Sequence, residues 1–204
     1  IRTILSHTSG VEAFFNEKKY NLMKIPGIGK NIIEQMNRDE ALKLAEPYLK
    51  LFSEKDHKAL FYEDPDFPQR LNRCEDGPIM LYAKGNIRLN KQKVVAIVGT
   101  RNATEYGEKI CAQLIESFRD QDIVVVSGLA YGIDVFVHQL CVKNNIQTVG
   151  VLGHGLDRIY PASHRNIAHQ MLNNGGLLTE FLPGSIMDRM NFPMRNRIVA
   201  GLCD

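Results

Sequence analysis

The sequence predicts an α/β fold: a parallel, doubly wound sheet over residues 93–204, preceded by a small helical domain. Three observations predict it. Val94 to Arg101, VVAIVGTR, is a continuous apolar run that ends on Gly99-Thr100-Arg101, the pattern of a strand buried on both faces. Similar short runs recur at 123–127, 148–152 and 176–181, with helix-length segments between them, and that alternation argues a parallel sheet. Before residue 51 the apolar residues fall instead at helical spacing, as Val11, Phe14 and Phe15 and again Ile32, Ile33 and Met36.

The chain of 204 residues is 44% apolar and 24% charged, which supports a real core in one large domain or a large and a small one. No run approaches the length of a membrane span, and no basic-then-apolar leader opens the chain. The chain stops at Cys203-Asp204 inside an apolar pattern, so the sheet is expected to be incomplete at its C-terminal end. Cys74, Cys111, Cys141 and Cys203 form no C-x-x-C pair and read as reduced thiols of a cytoplasmic protein. Net charge is only +2, yet no lysine follows Lys143 while five arginines do. Arginine's planar fork suits phosphate, although a count this small is also what chance gives.

Residues 1–50 form the helical part. Leu22 to Lys30, LMKIPGIGK, joins two helical patterns through Pro-Gly-Ile-Gly and resembles a helix-hairpin-helix element. Such a hairpin can bring backbone amides and a positive helix end to a phosphate, or Gly29 can simply cap or pack a tight connection. Residues 51–92 read as a connector broken by Asp64-Pro65, Phe67-Pro68, Gly77-Pro78 and Gly85-Asn86, with Ile79 to Tyr82 as a short strand. From 93 the elements alternate. Lys93 to Gly99 is the first strand, and Thr104 caps a helix to about 121 with Ile110, Leu114, Ile115 and Phe118 inward. Ile123 to Ser127 leads through GLAYGID into a helix to about 145. Thr148 to Leu152 leads through Gly153-His154-Gly155 to a helix near 163–173. Gly176 to Phe181 is the fourth strand, and Met190 onward is a polar loop entering the helix RNRIVAGL. Strand-to-helix loops of such a sheet meet at its carboxyl edge, which puts VGTR, SGLAYGID, GHGLDRIYP and the NFPMRNR segment in one crevice.

Common small-molecule readings fail there. Neither Gly99 to Thr104 nor Gly153 to Arg158 completes G-x-G-x-x-G, and no Walker string occurs, so no nicotinamide or nucleotide cofactor is expected. Ser127 lacks a G-x-S-x-G context. His164 and His169 are five apart, not an i, i+4 metal pair, so neither a metal nor a catalytic residue is expected, and His138 reads as a satisfied core histidine. What survives is anion recognition by Arg101, Arg189, Arg195 and Arg197, with Ser127, Gly128 and Gly132 close by and Phe192 free to stack on a base. Phe192 could equally be an inward-packed anchor, and Arg195 or Arg197 a structural ion pair with Glu180.

Five segments in order, VAIVGTRNATEYG, VVSGLAYGIDVFVH, TVGVLGHGLDRIYP, GGLLTEF and NFPMRNRIVAGL, resemble the DprA/Smf family (DNA-processing protein A), and PDFPQRL and PIMLYAKGN resemble its lead-in. The resemblance implies an extended Rossmann-like domain after a small helical domain of helix-hairpin-helix or SAM-like type. It implies single-stranded DNA binding without an enzymatic step, protection of incoming strands, homodimerisation, and delivery to the RecA recombinase in natural transformation, with no cofactor and no membrane. Carried over residue by residue, the DNA contacts are Gly99, Thr100 and Arg101 in the VGTR loop and Ser127 and Gly128 in the SGLAYG turn. In and before NFPMRN they are Arg189, Asn191, Phe192, Arg195 and Asn196, with Phe192 stacking and Arg195 and Asn196 holding phosphate. Family members continue well beyond RNRIVAGL, so their later sheet and their dimer and recombinase surfaces are expected to be missing or partial in this sequence. His138 fits the family's histidine after GID without an implied role. The competing expectation is a phosphoribohydrolase acting on a nucleoside monophosphate, built on the glycine pair and glutamate of Gly175 to Glu180. A weaker one is duplex DNA binding by residues 1–50 alone.

Overall fold

A computed structural model describes residues 1–53, 56–90 and 93–204; Glu54, Lys55, Lys91 and Gln92, beside the expected boundaries of the connector, lie outside the described residues. The chain divides into two units, Ile1–Ser53 and Glu54–Asp204.

In the larger unit, strand β4 (Ile123–Ser127) is buried along its whole length. Val124 and Val126 enter one core, with Val94, Val149, Val151 and Leu178. Val125 enters the core on the opposite face, with Ile97, Ile115, Ile133 and Val137. A strand apolar on both faces needs cover on both. The sheet is β1 (His57–Phe61), β2 (Met80–Gly85), β3 (Lys93–Ala96), β4, β5 (Gln147–Val151) and β6 (Gly175–Thr179), in the order β1-β2-β6-β5-β4-β3. Strands β3 to β6 are parallel, as the sequence predicts. Residues 57–85, read from sequence as connector, add two antiparallel strands at the far end. Strand β1, HKALF, buries only Leu60, so it carries no alternating pattern for sequence reading to find.

Four of this unit's helices follow the strands. Helix α7 (Glu105–Ser117) is capped by Thr104, whose Oγ1 accepts the Gly107 N–H at 3.1 Å. It buries Cys111 and Ile115 and leaves Ile110 and Leu114 at 43% and 38% exposure. The expected inward pair is thus turned out, because the 111/115 stripe lies one residue, about 100°, around the helix. Helix α8 (Ile133–Lys143) packs on α7, and α9 (Arg165–Met171) on α8 and β6. Helix α10 (Asn191–Gly201) lies on the other face, where Ile198, Val199 and Leu202 join the core beside Leu71 of the short α6 (Gln69–Asn72). It begins at Asn191, where the sequence suggested loop. Pro193 permits this because N–H groups of a first turn have no acceptor within the helix. Among the described residues, no helix is long and apolar enough to cross a membrane.

The smaller unit holds α1 (Arg2–Thr8), α2 (Val11–Asn16), α3 (Lys19–Leu22), α4 (Lys30–Gln35) and α5 (Arg38–Phe52). Ile4, Leu22, Ile25 and Ile33 form its core, with Phe14 and Met36 against it. Gly29 is the N-cap residue of α4, and Lys30 pairs with Glu34 across one turn. Gly27, at φ +78°, makes the preceding turn. Arg38 Nη1 donates to the carbonyls of Phe14, Phe15 and Glu17 at 2.6, 2.9 and 2.6 Å, which ties α2's end to α5's start.

His138, on α8, is fully buried. Thr148 Oγ1 donates to the Val125 carbonyl at 3.0 Å, so it accepts from His138 Nδ1–H at 2.7 Å, and Nε2 is left without a partner. It is a core histidine, as expected from sequence, but among the described residues it is satisfied at Nδ1 alone. Burial pushes its pKa down to about 3. A folded pKa below the unfolded one means the unfolded chain binds the extra proton first. Stability is therefore whole above the ordinary value near 6.5 and falls as pH drops from there toward 3. Urea midpoints measured from pH 7.5 to 4.5 are expected to fall, with His138 contributing about 1.4 kcal/mol per pH unit at most. The same series on His138→Gln is expected to be shallower by that contribution; equal slopes would assign the acid sensitivity elsewhere.

Candidate nucleic-acid interface

The loops leaving β3, β4 and β5 and the start of α10 converge at the sheet's carboxyl edge around a crevice of about 640 Å³. Gly99 and Arg101 come from the first loop, Gly128 and Tyr131 from the second, Tyr160 from the third, and Phe192, Arg195 and Asn196 from α10. The crevice thus unites six of the ten residues singled out from sequence: Gly99, Arg101, Gly128, Phe192, Arg195 and Asn196. Arg101 and Asn196 are exposed.

The other four line different ground. Thr100 faces its own loop: its carbonyl accepts the Ile133 N–H at 3.2 Å and its Oγ1 the Asn102 N–H at 3.2 Å. Ser127 is buried and donates its hydroxyl to the Ile97 carbonyl at 2.6 Å. It closes the gap between β3 and β4 and does not present an oxygen to a ligand. Arg189 is exposed in the segment before α10, and Asn191 binds the Ile186 carbonyl at 3.3 Å.

Arg195 departs furthest from expectation. It is only 5% exposed, and Nη1 donates to the Gly128 carbonyl at 2.7 Å and to the Val151 carbonyl. Burial lowers its pKa, while Asp134 nearby opposes that shift. Asp134 Oδ2 in turn accepts the Gly128 N–H at 3.1 Å and the Ala130 N–H at 3.4 Å. The Gly128 and Ala130 amides are therefore satisfied inside the protein and are not offered to a phosphate. Gly128 is small for the same reason: a Cβ there would sit 2.5 Å from Arg195 Nη2 and 2.6 Å from Asp134 Oδ2. The ion pair considered for Arg195 or Arg197 belongs to Arg197, which binds Glu180 and the Asp76 carbonyl. Glu180 is not among the residues lining the crevice. Gly175 and Gly176 pass so close to the Thr148 and Lys84 carbonyls, 2.0 Å from an added Cβ in each case, that packing of β6 between its neighbours explains the pair.

Phe192 is half-buried beside Gly153, its ring 5.8 Å from that of Tyr160 at 50°. Tyr160 and Tyr131, both 49% exposed, were not singled out from sequence. Their place in GLDRIYP and GLAYGID, loops the topology sends to the edge, was the available signal. Two buried histidines seat them. His154 Nδ1–H donates to the Gly155 carbonyl at 2.9 Å and Nε2 accepts the Tyr160 N–H at 3.3 Å. Burial holds the pKa of His154 below the usual value. His164 donates to the Leu129 carbonyl at 3.0 Å and meets Tyr131 edge-on, with 5.0 Å between ring centres. Among the described residues, no group of three His, Cys, Asp or Glu side chains could hold a metal.

A sequence profile described as DNA recombination-mediator protein A matches residues 58–204. Protein Smf of Synechocystis sp. is 32% identical over 206 residues, covering 99% of this chain and 52% of the relative. The chain spans about half the length of the first curated relatives it matches. Among solved structures, DNA processing protein A (DprA) from Streptococcus pneumoniae superposes with a TM-score of 0.79 at 28% identity, over 99% of this chain and 69% of that one. A structure of DNA processing protein A from Helicobacter pylori, described for its single-stranded DNA binding mode, gives a TM-score of 0.64 at 28% identity, over 72% of this chain and 66% of that one.

Replacing Arg195 by Met strands two buried carbonyls, which costs roughly 2–4 kcal/mol. Replacing exposed Arg101 by Ala changes stability by less than about 0.5 kcal/mol. Chemical denaturation of the two variants is expected to show that contrast; an Arg195→Met variant as stable as the parent would contradict the buried role.

Proposed function

The chain belongs to the DNA recombination-mediator protein A family, and from that premise we propose that it binds single-stranded DNA at the carboxyl-edge crevice. The observation that carries the reading is Arg101, exposed at a crevice whose other walls offer the Phe192 ring and the Asn196 amide. A cation beside ring faces suits a flexible strand whose phosphates and unstacked bases are both within reach. The described single-stranded DNA binding of the Helicobacter pylori protein supports the same assignment.

In this reading Arg101 and Arg189 meet phosphates, Asn196 donates to the backbone, and Phe192 stacks on a base. Gly99 lets its loop pass close over Ile133, where an added Cβ would sit 2.7 Å from that side chain. Arg195, Ser127, Thr100 and Asn191 shape the crevice and do not touch DNA. We propose further that the strand is protected and passed to the RecA recombinase, a reading in keeping with the description of the family as a recombination mediator, and that the protein acts as a homodimer in natural transformation. Four free cysteines suit the reducing cytoplasm. The reaction is binding without turnover.

With about three phosphates contacted, log K against log salt should slope near −2 for a single strand. Arg101→Ala with Arg189→Ala should remove about 1.4 from that slope and weaken oligothymidylate binding, as measured by mobility shift across a salt series with duplex DNA alongside. Undiminished binding by the double variant would overturn the proposed contacts. Release of free adenine from adenosine monophosphate at enzyme-like turnover would favour the phosphoribohydrolase instead. A 51–204 fragment with full affinity would dismiss a DNA-binding role for the helical unit.

A further inference from the structure

We propose that Tyr131 and Tyr160 are base-binding residues, so that the crevice takes two unpaired bases, one against the exposed side of the Tyr160–Phe192 pair and one on the Tyr131 face. The inference rests on the crevice being the single-strand site. Tyr160 and Phe192 meet as a tilted pair, at 50° and 5.8 Å between ring centres, too close to admit a base between them, and Tyr160 stays 49% exposed. Tyr131 is braced from one side by the edge of His164, with an interplanar angle of 72°, and remains 49% exposed.

The supports reach the Tyr160 backbone and the Tyr131 ring, and neither engages a hydroxyl. Tyr160 is fixed by its own N–H on His154 Nε2, and Tyr131 by a histidine anchored to the Leu129 carbonyl. His154 and His164 are themselves 1% and 7% exposed. Half-exposed aromatic faces on buried supports, in the same crevice as an exposed arginine, match what an unpaired base needs. An unpaired base gains by stacking there whatever its identity, because every base has a π-face. No directional side-chain pair is required, so the site is tolerant of base identity.

The test compares wild type with Tyr131→Ala, Tyr160→Ala and the two Tyr→Phe variants. Probes are oligothymidylate, the same oligonucleotide with abasic positions, and one carrying 2-aminopurine. Each Tyr→Ala change is expected to weaken oligothymidylate binding roughly five- to 150-fold, each Tyr→Phe change to leave it intact, and the abasic probe to be bound equally by all. The 2-aminopurine signal should be quenched on binding to wild type and less so with the alanine variants, a readout that a purely structural tyrosine would not move. Tyr→Ala variants that bind and quench like wild type overturn the inference, as does an equal loss with Tyr→Phe, which would put the effect on the hydroxyl. Failure of wild type to bind any single strand would instead sink the proposed function itself.

Discussion

A buried guanidinium ties the carboxyl edge together. Arg195 reaches from α10 across to the carbonyl that follows β4 and to the carbonyl that ends β5. Strand-end carbonyls beyond the last ladder bond need partners once helices cover the sheet. Arginine, with donors in a planar fork and no acceptor, supplies several at once. Asp134 completes the device by accepting the N–H groups of the same turn. The seat of α10 and the inward aim of the Gly128 peptide both depend on it. Those in turn decide which groups remain for a ligand.

The smaller unit uses the same chemistry in a different place, where Arg38 gathers three carbonyls at a helix junction. In both units an arginine that charge counting assigns to the surface is spent on backbone. This is why the arginine-rich C-terminal third does not translate into an equally basic site. Arg197 is paired with Glu180, and Arg158 with Asp157. Arg101 is left open at the crevice because its loop projects past the end of β3, where no strand end or carboxylate among the described residues claims it.

Much of the fold was legible. Buried parallel strands leave continuous β-branched runs, and IVVVS and VVAIV can hardly be read otherwise. Thr104 declared its helix by its cap. The antiparallel pair β1–β2 was less visible, since an edge strand with a single buried residue has no pattern, and β2 showed only its Ile79 to Tyr82 core. Of the inward face expected for the helix that Thr104 caps, Ile115 and Phe118 are buried while Ile110 and Leu114 are turned out, because Ile110, Cys111, Leu114 and Ile115 are all apolar and packing chose between two adjacent stripes. At the crevice, the loops were predicted correctly as neighbours, but the tyrosines were overlooked in favour of charges.

The sequence by itself determined the parallel core, the order of helices and strands, and the meeting of the glycine-rich loops at one edge, because these follow from local periodicity and from the handed geometry of strand-helix units. Tertiary structure alone decided which side chains face the crevice. Arg101 and Arg195 are identical in chemistry, and nothing local separates them. The difference lies in whether carbonyls from distant strands stand within reach, and that is a property of the assembled sheet and not of either residue's neighbours in the chain.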